Sequence, residues 1–312
     1  MRKHRIHAYL ELTMAATLIG SSVVAGKLMT LRMPIFLSQS ASLAIALLLL
    51  IPLLLAERHR SIKVGKRDAL LLLLQSFLGM FLFRVLMLYG LRYATATEIG
   101  IVTSLTPAAV ALLSFVVLKE KMTTRLILGI GCSLLGILII QAPGWLMTSS
   151  TPSKSSYIGL LLILLAVIGE ATLTIFRKMT SSGVSSLLGT TYITLFSFLM
   201  FLPFSVVEAL QFDFTRVRGE DIGLLFYNGI FVTVGGYLLW FRGISRVQAS
   251  TAAVYTGCIP VSTLLLSYTV LHEPFSFLHV AGVGLVFMGI LLISDFRKHK
   301  ETNETATVQT SY

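Results

Sequence analysis

Charge is what this sequence has least of. Only 12% of its 312 residues are Asp, Glu, Lys or Arg, about half the roughly 25% of an average soluble domain, and that shortfall excludes an ordinary water-soluble globule. Cysteine is nearly missing too. Cys132 and Cys258 lie inside apolar stretches without metal-ligand spacing and say nothing of redox compartment. The six histidines, His4, His7, His59, His272, His279 and His299, fall mostly at helix ends or in tails, and no metal site is expected. No Gly-x-x-x-x-Gly-Lys-Ser/Thr loop occurs, which argues against direct ATP drive unless a partner supplies it. Neither Gly-x-Ser-x-Gly nor His-Glu-x-x-His occurs, so an enzyme is a weak reading and no cofactor is expected.

What the chain has is apolar length. Residues 33–56, 126–153, 179–207, 222–241 and 274–294 carry no charged side chain, and about 20 apolar residues cross a bilayer core. Helices are expected near 8–28, 35–55, 69–89, 98–118, 126–142, 157–176, 187–207, 222–241, 251–271 and 277–294. The fold class is therefore all-α integral membrane, with ten transmembrane helices. With the N-terminus inside, eighteen of the 25 Lys and Arg lie in inner segments, six in outer ones, and Arg84 within a helix. The positive-inside rule then puts the N- and C-termini in the cytoplasm and the chain in the cell membrane. The +11 charge reads as membrane orientation, with lipid and not nucleic acid as its partner. A cleavable signal peptide over residues 1–27 competes, but Glu11 interrupts its apolar segment and its loss would leave nine spans. The polar segment 297–312 is expected to be a disordered cytoplasmic tail.

The chain also repeats. At an offset of 153, residues 86–140 and 239–293 share 17 identities in 55 columns. Gly90/Gly243, Pro107/Pro260, Ser114/Ser267, Glu120/Glu273, Gly129/Gly282, Gly131/Gly284 and Gly136/Gly289 are pairs that apolar composition would not supply. Two five-helix units are expected, 1–142 and 157–296, joined by an outer linker over 143–156. Five is odd, so the second unit enters from the opposite side, and inverted repeats of this kind build many secondary transporters. Pro107 and Pro260 are expected to kink helices four and nine at the level of a central cavity. The paired glycines are expected to allow close helix contact.

The stretches Gly90-Leu-Arg-Tyr-Ala-Thr-Ala-Thr, Ser104-Leu-Thr-Pro107, Leu118-Lys-Glu120 and Gly129 to Gly136, with their second-half counterparts Ile259-Pro260, Leu271-His-Glu273-Pro and Gly282 to Gly289, resemble the EamA-type drug/metabolite transporter superfamily. The resemblance covers nearly the whole chain. It implies ten helices, both termini inside, and a central cavity lined by helices one, three, four, six, eight and nine. Members move amino acids, other small metabolites or drugs, commonly outward. Two features depart from the common pattern: Glu170 stands where many members carry an aromatic residue, and Ser40 and Ser42 stand near where the second helix often has arginine.

An ionisable group in a bilayer core costs about 2.5–3.5 kcal/mol even on lenient scales, which makes each one a functional candidate. Arg84 and Glu98 are expected to reach similar depth in an antiparallel hairpin and to pair or share a polar cavity. Glu170, about 13 residues into helix six, falls near the midplane at roughly 1.5 Å per residue, where it is a candidate proton carrier. Lys27 and Arg177 hold matching repeat positions at opposite mouths, as attractors of anionic solutes or as snorkelling side chains. Gln75 and Asn228 also match at the 153 offset, for cavity lining or for helix-to-helix bonding. Tyr89, Tyr237 and Tyr255 are further cavity candidates. Glu120 and Glu273 read as loop anchors. The function expected is secondary active transport of a small metabolite, amino acid or drug-like solute by alternating access, outward, with coupling to the proton gradient as a hypothesis. An importer or exchanger of the same fold and a non-transporting receptor or assembly subunit are the alternatives, and a homodimer is left open.

Overall fold

The computed structural model describes residues 2–57, 64–93, 102–146, 154–270, 272 and 275–293. These form helices, with no strand among the described residues. The first helices are α1 (Arg2–Thr30) and α2 (Ile35–Ala56). Helix α3 runs as Lys66–Ser76, a π-helical turn Phe77–Leu82, and Phe83–Tyr93. Then come α4 (Thr106–Leu118), α5 (Thr124–Leu146), α6 (Lys154–Met179) and α7 (Ser186–Gln211). Helix α8 joins Gly219–Phe226, a π-helical stretch Tyr227–Gly236, and Tyr237–Arg246. Helix α9 joins Ala249–Tyr255 to Cys258–Val270, and α10 is Phe277–Ile293. Eight of these helices are long and apolar enough to cross a membrane, while Thr106–Leu118 and Phe277–Ile293 are shorter apolar helices. The protein is a multi-pass membrane protein.

Burial follows the logic of lipid as solvent. Leu48, Leu210 and Phe277 are among the most exposed side chains, whereas Ser40, Ser42, Gln75, Ser76, Thr190, Thr194 and Ser197 are buried. Hydrocarbon gives no driving force for hiding leucine, so small and hydrogen-bonding residues face inward, where backbones approach closely. Ser76 shares a 2.7 Å hydrogen bond with Ser197 and donates at 3.1 Å to the Ile193 carbonyl, tying α3 to α7.

Helix packing comes in corresponding sets. Helix α1 lies against α8 and α9, and α6 lies against α3 and α4. Helix α2 packs on α7, and α5 on α10. The last contact is a glycine seam: a Cβ on Gly136 would stand 2.6 Å from the Gly282 carbonyl oxygen, and one on Gly282 would stand 2.6 Å from that of Gly136. Gly289 meets Gly129 in the same way, at 2.6 Å. Gly131 and Gly284 differ from expectation, since a Cβ on either would meet nothing within 4 Å. They follow the seam glycines at a spacing that turns them away from the partner helix.

Helix ends bring distant segments together. Helix α4 stops at Lys119, whose φ of 53° is left-handed, and the Glu120 N–H closes on the Ser114 carbonyl at 3.2 Å. Its counterpart at the 153 offset, His272, has a φ of 52°. A left-handed residue other than glycine is uncommon, and here it turns Glu120 toward α9. The carboxylate accepts the N–H groups of Ala249 at 2.9 Å and Ser250 at 3.0 Å, and the Ser250 hydroxyl at 2.6 Å. Glu273 lies outside the described residues. At the same end of the bundle Arg246 reaches Glu11 at 2.8 Å. At the other end Arg32 lies 3.1 Å from Glu220 and 3.5 Å from Asp221.

The two prolines stand just inside a helical segment that restarts. Residues 104–105 and 256–257 form turns, and Pro107 and Pro260 follow as the second residue of Thr106–Leu118 and the third of Cys258–Val270. In a first helical turn the missing proline N–H costs nothing, so each helix is broken ahead of its proline instead of bending around it. Beyond the break in α9, Ser262 and Thr263 donate to the carbonyls of Thr17 and Gly20, both at 2.8 Å.

Candidate functional site

Arg84, Glu170 and Tyr237 are polar side chains within apolar helices, each partly buried. Partly accessible polar groups within apolar helices are what a solute path between them would need. The three come from α3, α6 and α8. Arg84 donates from Nη2 to Gln39 Oε1 on α2 at 2.9 Å. Glu170 Oε2 is 3.4 Å from the Thr106 hydroxyl of α4. Among the described residues Arg84 and Glu170 form no ion pair with one another. Arg84 and Tyr237 correspond at the 153 offset.

The other sequence candidates divide by surroundings. Gln75 is fully buried and donates to the Leu173 carbonyl of α6 at 2.7 Å, with its own Oε1 buried and unbonded. Asn228 is buried at the start of the π-helical stretch, and its carbonyl accepts the Thr233 hydroxyl at 2.9 Å. Tyr255 is buried and stacks on Tyr9, with centroids 5.5 Å apart. Tyr89 and Lys27 are exposed. Glu98 lies outside the described residues, so its expected pairing with Arg84 does too. Arg177 is buried, donating to the Thr180 hydroxyl at 2.6 Å and the Val184 carbonyl at 3.0 Å, with its guanidinium 5.5 Å from the centre of the Phe241 ring. That geometry ties Arg177 to the connection between α6 and α7.

Sequence reasoning passed over several groups. Gln39 is the one amide in α2, flanked by Ser38, Ser40 and Ser42, a polar patch in an otherwise apolar helix. Thr106 precedes the proline already singled out. Asp68 and Asp221 match at the 153 offset but fall outside the aligned 86–140 window. Asp68 accepts the N–H of Ser181 at 3.0 Å and its hydroxyl at 2.5 Å. Asp221 accepts the Arg218 N–H at 2.9 Å, which starts α8, and lies 3.5 Å from Arg32. Each aspartate opens its helix and holds the connection after the first helix of the opposite half.

A model of the EamA-like transporter family matches residues 8–142 and again 157–295. An uncharacterized transporter of Bacillus subtilis (strain 168), YetK, is 38% identical over 308 residues, spanning 99% of this chain and 93% of its own. An uncharacterized transporter of Archaeoglobus fulgidus is 32% identical over 69% of this chain and 74% of its own. A crystal structure at 18% identity superposes with a TM-score of 0.74 over 91% of this chain and 95% of that one, a likeness of fold.

Proposed function

Because the chain belongs to the EamA-like transporter family, we propose that it is a secondary transporter of the cell membrane, carrying a small solute outward through the Arg84–Tyr237–Glu170 cleft by alternating access. In this reading ten helices cross the membrane as two inverted five-helix halves, with both termini in the cytoplasm and the proton gradient as the coupled force. The observation that carries it is recurrence of contacts: α1 on α8 and α9 answers α6 on α3 and α4. The π-helical turns of α3 and α8 also overlap when shifted by 153. Halves built alike but inserted oppositely give two states of similar energy, and that near-degeneracy supports alternating access. Net solute movement by the purified full chain in proteoliposomes tests it. A chain that binds solute without net flux is a receptor or assembly subunit instead.

The two aspartates supply a mechanical prediction. Under this topology Asp68 closes the cytoplasmic end, through Ser181, and Asp221 closes the outer end, through Arg32. Asp68→Asn weakens charge-assisted hydrogen bonds, and about 1.4 kcal/mol of bias is a tenfold population change. Asp68→Asn is expected to speed thiol labelling of a reporter at Ser182 and slow it at Thr215, by roughly threefold to tenfold. Asp221→Asn is expected to do the reverse. Reporters that respond in the same direction to both substitutions would contradict the assignment.

A further inference from the structure

Resting on the cleft as the solute path, we infer that the solute is an organic anion whose carboxylate is taken by Arg84, with Gln39 as the positioning residue. A guanidinium stays charged at any physiological pH and offers five N–H donors in a rigid fork. Among the described residues this one is in no ion pair, and its hydrogen-bond partner is a neutral amide oxygen, Gln39 Oε1 at 2.9 Å. A partly buried guanidinium that no described acid answers is costly, and a bidentate carboxylate is the ligand that fits both the charge and the fork.

The surroundings point the same way. Among the described residues Glu170 forms no ion pair with Arg84. Glu170 instead meets the Thr106 hydroxyl at 3.4 Å. Three other arginines are engaged at the ends of the bundle: Arg177 in the connection after α6, Arg246 with Glu11, and Arg32 with Glu220 and Asp221. The Gln39 amide holds one edge of the guanidinium without neutralising it, which preorganises the remaining donors. A neutral solute would leave that charge unmet. A cationic solute would be repelled by it.

Binding to the purified full chain tests the inference, using acetate, butyrate, benzoate and phenylacetate against their amides, with the shift in thermal unfolding as readout. At least one carboxylate is expected to raise the midpoint in a saturable way while its amide does not. Arg84→Gln is expected to weaken that carboxylate's half-saturation at least tenfold, with Arg84→Lys recovering part of it. Gln39→Glu guards against a folding failure at Arg84. It places a carboxylate on the guanidinium from within and is expected to abolish the ligand shift while the protein remains folded. The inference is overturned if no carboxylate shifts the midpoint, if amides shift it equally, or if Gln39→Glu leaves the response intact. Opposite labelling responses of the Asp68 and Asp221 variants, persisting beside such a failure, would leave the transport reading standing without its solute class. Loss of those responses would remove the transport reading itself.

Discussion

Gly136→Leu is expected to destabilise the protein by about 3 kcal/mol, because overpacking at a rigid contact forces backbone to move. The seam between α5 and α10 is reciprocal. A side chain on Gly136 meets the Gly282 carbonyl oxygen at 2.6 Å and the Val286 amide nitrogen at 2.9 Å. Both obstacles are main chain, so no rotamer relieves them, and α10 must shift as a body. Val286, fully buried, packs with Ile137, Ile140 and Val261 in the apolar cluster behind this contact, and that cluster opens when the helices part. The thermal unfolding midpoint in detergent measures the effect. Gly131→Ala is the matched control: its Cβ enters open space, and removing a glycine from a helix interior is worth up to about 1 kcal/mol in the stabilising direction. Equal losses at 131 and 136 would show that the seam is not the source.

Glu120→Ala should cost about 3 kcal/mol. Its carboxylate satisfies two N–H groups at the start of α9 and a serine hydroxyl, and hydrogen bonds to a charged acceptor contribute about 1.5–3 kcal/mol each. Ala249 and Ser250 are fully buried, so water cannot readily replace the lost acceptor. Glu120→Gln keeps one carbonyl oxygen and should recover roughly half the loss. Amide exchange separates this role from a catalytic or solute-binding one: the N–H groups of 249 and 250 should exchange faster in Glu120→Ala, while carboxylate binding at Arg84 keeps its half-saturation. An unaltered unfolding midpoint would rule out the cap.

Helix existence was legible because spanning helices are long, apolar and punctuated by charge. Family membership was legible in the recurring Gly, Pro and Glu positions. The left-handed turn at Lys119 was not, since nothing in Leu-Lys-Glu marks that lysine as the turning residue. Composition marks Gly131 and Gly136 alike, and only the rotation of a real helix separates the seam glycine from the open one. At the cleft, Arg84, Glu170 and Tyr237 were legible because polar groups are rare there. Gln39 was missed because an uncharged amide among serines costs too little to stand out. The aspartates were missed because they lie outside the 86–140 window and because an acid in the first turn of a helix is ordinary.

The wide turns in α3 and α8 have a consequence for motion. Where a backbone amide reaches five residues back instead of four, the helix carries one residue more than its pitch requires. That surplus can migrate along the axis by trading one bond at a time, rotating the segment it passes without melting it. Because both wrinkles border the residues that face the cleft, side chains there can swing through a large arc while each helix keeps its length and its lipid contacts.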